Sequence, residues 1–201
     1  MKVEIVMQYD SAYAEVGDIA SGRAKQYAQR HGYQFHLSRT MSRLCPMWSK
    51  VALMRQRCVF PTDYLLWLDA DALILDIDQS LESNLSGKVM DISEDSNGLC
   101  AGVFGIKAND IGRSLLDCWL FLGQVEDESE FGLPGLKDQA TLMLMERKFP
   151  AVRTLISRLP QSLVANQETK IEKTPLIYHY WARNKDKASV AHWMRETLST
   201  L

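Results

Sequence analysis

The sequence predicts an α/β fold in which a Rossmann-like sheet is covered by helices. In the first 75 residues, β-type runs alternate with segments of helical spacing, which is the signature of βαβ units. In addition, the run "YLLWLD", residues 64–69, is apolar without polar alternation. That pattern is typical of a central strand covered by helices on both faces.

The N-terminal elements follow from changes of period. "KVEIVM" is a β-rich run, and "SAYAEVGD" after Tyr9 and Asp10 has loop composition. Apolar residues then fall at helical spacing over residues 19–31, and Gly32 stands where a C-cap is expected. "YQFHLS" is a short strand, and "WSKVALMRQRCV" returns to helical spacing. The predicted order is therefore strand, helix, strand, helix, strand.

The rest of the chain predicts more strands and helices. The β-type runs are "KVMDIS", "CAGVFGI", "RTLIS", "SLVAN" and "LIYHYW". Helices are predicted near residues 110–122 and 138–147 and at the C-terminus, and the acidic, glycine-rich segment 123–135 is predicted to be a mobile loop. We find no internal repeat or linker, so one compact domain spanning residues 1–201 is expected.

Composition narrows the classes of function. With 23 Lys and Arg against 25 Asp and Glu, the net charge of −2 gives no global reason to bind nucleic acid or an anionic membrane. The four cysteines are far apart and form no zinc-ligand pattern, which predicts reduced thiols. No signal-peptide core is visible, and no apolar run approaches the roughly 18 residues of a membrane span. We expect a soluble, cytoplasmic chain or an excised catalytic domain.

Four aspartates crowd the end of the apolar strand, in "LDADALILDID". Asp69 and Asp71 follow it directly, at the sheet edge where doubly wound folds bind ligands. Their i, i+2 spacing on extended backbone sends both side chains the same way, so two oxygen ligands can converge on one divalent ion. Asp76 and Asp78 repeat the spacing but precede "QSLES", where a turn and helix N-cap is the more frequent role. Spacing alone leaves the choice open, and a charged loop is the alternative for the first pair.

Three other segments carry residues suited to a site. "KDQATLM" places Asp138 and Gln139 at a helix start, where an N-cap is the alternative. "IYHYWARNK" puts His179 at the end of an apolar run, with Lys185 six residues on; a buried core histidine is the alternative there. "NGLCAGVFGIKAND" has small residues where backbone can approach a ligand closely, although packing also explains them.

Taken together, these segments resemble a nucleotide-sugar glycosyltransferase of the GT-A fold. The resemblance is most specific to glycosyltransferase family 34, the galactosyl, mannosyl and xyloglucan xylosyl transferases, and it runs in family order from about residue 20 to residue 187. Its segments are "YAQRHGYQF", "WSKVALMRQ", "YLLWLDADALI", "GVFGIKANDIGRSLLDCWL", "KDQATLM", "LPQSLVAN" and "YHYWA". Each is weak alone, but seven in order are specific.

The resemblance implies one GT-A domain with a mixed sheet flanked by helices. Residues 1–75 would form the nucleotide-binding half, and residues 76–201 the half that closes the metal site and binds the acceptor. The implied activity is transfer of a hexose or pentose from a nucleoside-diphosphate sugar to a sugar hydroxyl of a glycan or glycoconjugate, with retention of configuration. A UDP-sugar is favoured over a GDP-sugar as donor. The acceptor stays open among a polysaccharide, a glycoprotein glycan, a lipid-linked sugar and a modified nucleobase.

The resemblance also implies a metal site. Asp69 and Asp71 become the metal-binding pair, and His179 becomes the third protein ligand. A site that contains an imidazole favours Mn²⁺, with Mg²⁺ as the alternative. Lys185 would contact the donor diphosphate, where it and the cation would stabilise the charge that develops on departure. Ala182 stands where related transferases have a glycine, which leaves the backbone path to Lys185 open.

Further residues are implied at the nucleotide. Tyr9 and Asp10, after the first strand, are placed to meet the nucleobase and the ribose. Lys50 is placed near the donor by resemblance, with a solvated helix lysine as the alternative. Ala70, between the two metal-binding aspartates, belongs to the same donor-binding segment.

Other residues are implied at the donor sugar. Asp138 and Gln139 would line its face, where they would orient the donor or steady positive charge at the anomeric carbon. Cys100 stands where the family usually has an asparagine near this sugar, and Arg23 replaces an asparagine of the early helix. These departures leave the sugar preference open.

Two interpretations from other classes also remain. A haloacid-dehalogenase-like phosphatase uses D-x-D with Mg²⁺, but its motif normally follows the first strand and continues to a threonine or valine. Here the pair follows the third predicted strand and continues as "ALIL". A non-catalytic sugar-nucleotide binding module is the second alternative, since Cys100 could mark lost activity.

Overall fold

The computed structural model describes residues 1–40, 45–125, 137–166, 173–181 and 186–201. The predicted mobile loop therefore lies outside the described residues from residue 126 onward. The strands are β1 (Val3–Gln8), β2 (Gln34–Ser38), β3 (Tyr64–Leu68), β4 (Ala72–Ile74), β5 (Met90–Asp95), β6 (Gly98–Lys107), β7 (Ile156–Arg158), β8 (Val164–Asn166) and β9 (Ile177–His179). The helices are α1 (Ala14–His31), α2 (Pro46–Arg57), α3 (Asp110–Val125), α4 (Lys137–Lys148), α5 (Pro150–Leu155) and α6 (Lys187–Ser199).

A mixed sheet of six strands forms the centre, in the order β2, β1, β3, β6, β5, β7. β1 pairs in parallel with β2 and β3, whereas β6 runs antiparallel to both β3 and β5. Because β6 is reversed, its first residues lie at the same sheet edge as the carboxyl ends of β3 and β5. The predicted α/β fold with a mixed, helix-flanked sheet is confirmed.

A smaller sheet, in the order β4, β9, β8, closes over that edge. In the antiparallel pairing of β4 with β9, Ala72 lies opposite His179. The amide of Tyr180 also donates to the carbonyl oxygen of Asp71 at 2.9 Å. The late histidine is thereby held beside the residues that follow β3.

Two hydrophobic cores lie on the two faces of the central sheet. Tyr64, Leu66 and Leu68 of β3 pack with α1 and α6, whereas Leu65 and Trp67 pack with α2, α3 and α4. Because successive side chains of a strand point to opposite faces, a strand between two cores has no polar positions. Among the described residues, none of the helices has the length and apolar character that a membrane span requires.

Two predicted elements differ from the structure. The "SAYAEVGD" segment was expected to be a loop, but α1 already begins at Ala14. The helix contains a glycine at residue 17 because the Cβ of any other residue there would overlap the ring of Tyr9. A short strand was expected near "RTLIS", and β7 begins there at Ile156, but α5, with Pro150 at its first turn, occupies the first three residues of this segment.

Candidate active site

Asp69, Asp71 and His179 form a cluster at the carboxyl edge of the sheet. One ligand atom from each lies within 4.8 Å of the other two. His179 Nε2 lies 3.4 Å from Asp71 Oδ1. Two carboxylates and one imidazole are a donor set suited to Mn²⁺, so these residues fit the ion that the resemblance implies.

Backbone and side-chain hydrogen bonds fix the cluster. The amide of Asp69 donates to the carbonyl oxygen of Gly102 at 2.9 Å, and Trp67 Nε1 donates to Asp69 Oδ1 at 2.7 Å. A Cβ at residue 102 would overlap the imidazole of His179. A glycine at residue 102 therefore lets β6 approach the histidine closely, which explains one of the small residues of this strand.

Lys50 of α2 links the cluster to the start of α4. Its Nζ donates to Asp69 Oδ1 and to the carbonyl oxygen of Ala101, both at 3.1 Å. Lys50 Nζ also lies 3.0 Å from Asp138 Oδ2. The two groups form an ion pair, although their angles are not those of a hydrogen bond. Lys50 is only 7% exposed, so the alternative of a solvated helix lysine is wrong. Burial lowers the pKa of Lys50, but the carboxylates of Asp138 and Asp69 outweigh it and hold the pKa above its usual range.

The electrostatics of the cluster favour the binding of a cation between its carboxylates. Burial raises the pKa of Asp69, and the Asp71 carboxylate raises it further against the opposing effect of Lys50. Burial disfavours the charged form of His179, but Cys100 and Asp71 outweigh this and hold the pKa of His179 well above its usual range. Two carboxylates that crowd each other in this way gain from a shared cation.

The structure places Cys100 behind the histidine. Its Sγ lies 3.5 Å from His179 Nδ1, on the ring nitrogen that does not face Asp71. The residue that the resemblance put near the donor sugar thus also contacts a metal-ligand candidate. Such a partner on the second ring nitrogen fixes the orientation of a ligating imidazole.

Asp138 and Gln139 enter the site from the first turn of α4. Both are buried, and Trp119 Nε1 donates to the carbonyl oxygen of Asp138 at 2.7 Å. Gln139 Nε2 donates to Asp95 Oδ2 at 3.3 Å. α3 thereby holds the backbone of Asp138, and β5 holds the side chain of Gln139, next to the cluster.

A pocket of about 250 Å³ contains most of the predicted site residues. It is lined among others by Lys50, Asp69, Asp71, Cys100, Asp138, Gln139 and His179. A second hollow of about 190 Å³ shares Tyr13, Lys50, Asp69 and Asp71 with it and adds Ala70. Residues predicted from five separate segments therefore meet in one place.

Two predicted donor residues are not brought to this pocket. Tyr9 is buried beneath α1, and its hydroxyl bonds with Asp18 and Ser21. Asp10 caps a short turn by accepting from the amide of Ala12 at 2.9 Å. Neither lines the two hollows. Lys185, together with Ala182, lies outside the described residues.

Sequence reasoning missed several residues at the pocket. Tyr13 lines both hollows, and Lys187 Nζ lies 3.8 Å from the centroid of its ring. Asp95, the last residue of β5, and Asn97, in the turn between β5 and β6, line the larger hollow. Two features of the sequence could have indicated them, because strand ends at this edge hold ligands. Tyr13 comes soon after the first strand, and Asp95 and Asn97 lie in the polar segment "ISEDSNG".

The second aspartate pair has another role. Asp76 Oδ1 accepts from the amides of Asp78 and Gln79 at 3.0 and 3.3 Å. Asp78 forms an exposed ion pair with Arg30. The turn role of Asp76 is confirmed, whereas the predicted N-cap role of Asp78 is wrong because the next helical turn, Glu82–Asn84, begins after Leu81.

Comparisons with known proteins agree with this geometry. Residues 8–91 match the model of the galactosyl transferase GMA12/MNN10 family. A glycosyltransferase involved in the glycosylation of the major capsid of PBCV-1 has a similar structure, with a TM-score of 0.80, 13% identity, and coverage of 98% of this chain and 100% of that one. No curated protein matches the sequence significantly.

Two further solved structures are similar. GlyE of Streptococcus pneumoniae TIGR4 has a TM-score of 0.62 at 15% identity, over 98% of this chain and 65% of that one. The galactosyltransferase LgtC, crystallised with donor and acceptor sugar analogues, has a TM-score of 0.60 at 15% identity, over 98% of this chain and 96% of that one. At such identities the similarity shows the fold.

The fold defines a structural class: it is the fold of the GT-A glycosyltransferases. The family match over residues 8–91 and the solved structures together support the resemblance to glycosyltransferase family 34. The resemblance drawn from the sequence is thereby confirmed.

Proposed function

We propose that this chain is a metal-dependent transferase of a hexose or pentose from a nucleoside-diphosphate sugar to a hydroxyl of a glycan or glycoconjugate, with retention of configuration. The observation that carries the proposal is the convergence of Asp69, Asp71 and His179 in one pocket with Asp138 and Gln139. A nucleoside-diphosphate sugar needs a metal site for its diphosphate and, next to it, polar side chains for its sugar.

Asp69, Asp71 and His179 would hold the divalent ion, with Mn²⁺ favoured and Mg²⁺ as the alternative. When bound, the ion supplies Lewis-acid stabilisation of the charge that develops on the leaving diphosphate. The buried ammonium group of Lys50 balances the charge of Asp69 and orients it.

The nucleotide would bind mainly to residues 1–75, beside the exposed side of Tyr13. This ring lies at the rim of both hollows, and Lys187 brings a positive charge next to it. The tyrosine offers an aromatic surface for a nucleobase, and the lysine suits a phosphate. We retain Lys185 as a diphosphate contact from the resemblance, and residues 76–201 as the half that binds the acceptor.

Asp138 and Gln139 would line the sugar. The Asp138 carboxylate is 5% exposed and faces Lys50, which favours an electrostatic role toward the anomeric carbon over a nucleophilic one. In a front-side displacement, the bond from this carbon to the phosphate oxygen breaks, and the acceptor oxygen bonds on the same face. The acceptor proton passes to the departing phosphate. The side-chain carbonyl of Gln139 is suited to accept from a sugar hydroxyl.

The alternatives differ in testable ways. The haloacid-dehalogenase-like phosphatase is wrong, since the fold is that of GT-A glycosyltransferases. A non-catalytic binding module would bind nucleotide and metal without turnover. Location in the cytoplasm and the absence of a nucleic-acid partner stay predictions.

We expect the purified protein to release nucleoside diphosphate slowly from a UDP-sugar in Mn²⁺ without an acceptor, because water can replace the acceptor hydroxyl. A panel of UDP- and GDP-sugars, read by nucleotide release, identifies the donor. EDTA should abolish release, and added Mn²⁺ should restore it more fully than Mg²⁺. Thermal stabilisation by Mn²⁺ and UDP without turnover would instead indicate the binding module, and neither turnover nor stabilisation would overturn the proposal.

A further inference from the structure

We propose that a groove beside the catalytic pocket is the acceptor subsite and that it binds an uncharged glycosyl unit. The groove has a volume of about 500 Å³ and is lined by residues 94–98, Gln161 and Asn166. This volume is within the usual range for small-molecule sites. The inference rests on the proposed function, since it names the second substrate of the same reaction.

The position of the groove relates it to the donor sugar. It shares Asp95 and Asn97 with the catalytic pocket but none of the three metal-ligand candidates. The hydrogen bond from Gln139 Nε2 to Asp95 Oδ2 lies on the boundary between the two spaces. A molecule in the groove would therefore approach the sugar beside Gln139, which is where an incoming hydroxyl is needed.

The wall of the groove is built before any ligand arrives. Asp95 Oδ1 accepts from the amide of Asn97 at 2.7 Å, while its other oxygen holds Gln139. Asn166 is buried, and its Nδ2 donates to the carbonyl oxygen of Glu94 at 3.1 Å. Such fixed polar groups lower the entropic cost of ordering a site around a ligand.

The chemistry of the lining selects the class of acceptor. Its carboxylates and amides are groups that pair with adjacent sugar hydroxyls, and Gln161 is exposed at the rim. Among the described lining residues there is no lysine or arginine, whereas Glu94 and Asp95 are acidic. Arg158 pairs with Glu94 at 3.1 Å but also with Glu146, so it does not leave an excess of positive charge. A phosphate or uronic acid would meet like charge here.

The test compares transfer with hydrolysis in the full chain. The probes are methyl glycosides of glucose, galactose, mannose and xylose, with methyl glucuronide as the anionic counterpart. In Gln161→Ala we expect kcat/KM for transfer to the preferred neutral glycoside to fall about tenfold, mainly through KM, as for the loss of one or two hydrogen bonds. Acceptor-independent release of nucleotide should be unchanged. Gln29→Ala, on the exposed face of α1, is the matched control.

A second variant tests the charge argument. In Gln161→Arg, transfer to methyl glucuronide should rise relative to the neutral glycosides. Equal loss of hydrolysis and transfer in Gln161→Ala, unchanged transfer, or a preference of the unmodified chain for glucuronide would overturn the inference. So would active hydrolysis with no transfer to any neutral glycoside. Absence of hydrolysis from the unmodified chain would instead mark failure of the proposed function itself.

Discussion

Replacing Asp71 by asparagine is expected to slow metal-dependent nucleotide release by about a thousandfold, because Lewis-acid stabilisation contributes several kcal/mol. The substitution keeps the volume of the side chain and removes one charge from the three-residue cluster. His179→Ala should have a comparable effect, since it removes the imidazole ligand. Both variants should also need more Mn²⁺ for half-maximal activity, as measured by nucleotide release over a Mn²⁺ titration.

The matched control is Asp78→Asn, in the second aspartate pair. Asp78 is exposed and pairs with Arg30 at the surface, so its loss should leave nucleotide release and its Mn²⁺ dependence unchanged. Equal losses from Asp71→Asn and Asp78→Asn would show that the ligand assignment is wrong.

Replacing Lys50 by methionine should lower the thermal stability of the chain and increase its stabilisation by Mn²⁺. The change leaves the buried Asp138 and the half-buried Asp69 without their shared cation, and removal of one partner from a buried ion pair such as Lys50–Asp138 costs about 3–5 kcal/mol. In a chain of this size, that corresponds to a fall in Tm of roughly 10 °C. Because the lysine charge at Asp69 repels a divalent ion, Mn²⁺ should raise the Tm of the variant more than that of the unmodified protein.

Thermal unfolding with and without Mn²⁺ measures both effects. Lys25→Met, on the exposed side of α1, is the control and should change neither. If Lys50→Met unfolds at the same temperature as the unmodified chain, or responds less to Mn²⁺, Lys50 does not balance these two carboxylates.

Local patterns predicted much of the central sheet. The strand "YLLWL" could be predicted from its apolar residues, because β3 lies between two cores and every position is buried. The start of α1 was missed because Gly17 and Asp18 suggest a loop, whereas packing against Tyr9 requires a small residue there. The second sheet was not predicted, since three-residue strands such as β4 are fixed by pairing with β9 rather than by their own sequence.

The site was predictable where position along the chain carries the information. Asp69 and Asp71 follow a buried strand, so their place at the sheet edge could be inferred, while His179 needed the family resemblance. The joint contact of Lys50 with Asp69 and Asp138 could not be inferred, because it depends on the packing of α2 against α4. Tyr13 was missed with the start of α1, since its segment was interpreted as a loop.

The most direct test of the metal assignment is anomalous diffraction from crystals grown with MnCl₂ and UDP. We expect one strong manganese peak within coordination distance of Asp69, Asp71 and His179 Nε2, with the UDP diphosphate completing the coordination. A peak at Asp76 and Asp78, or no peak at the three-residue cluster while UDP is bound, would contradict the account.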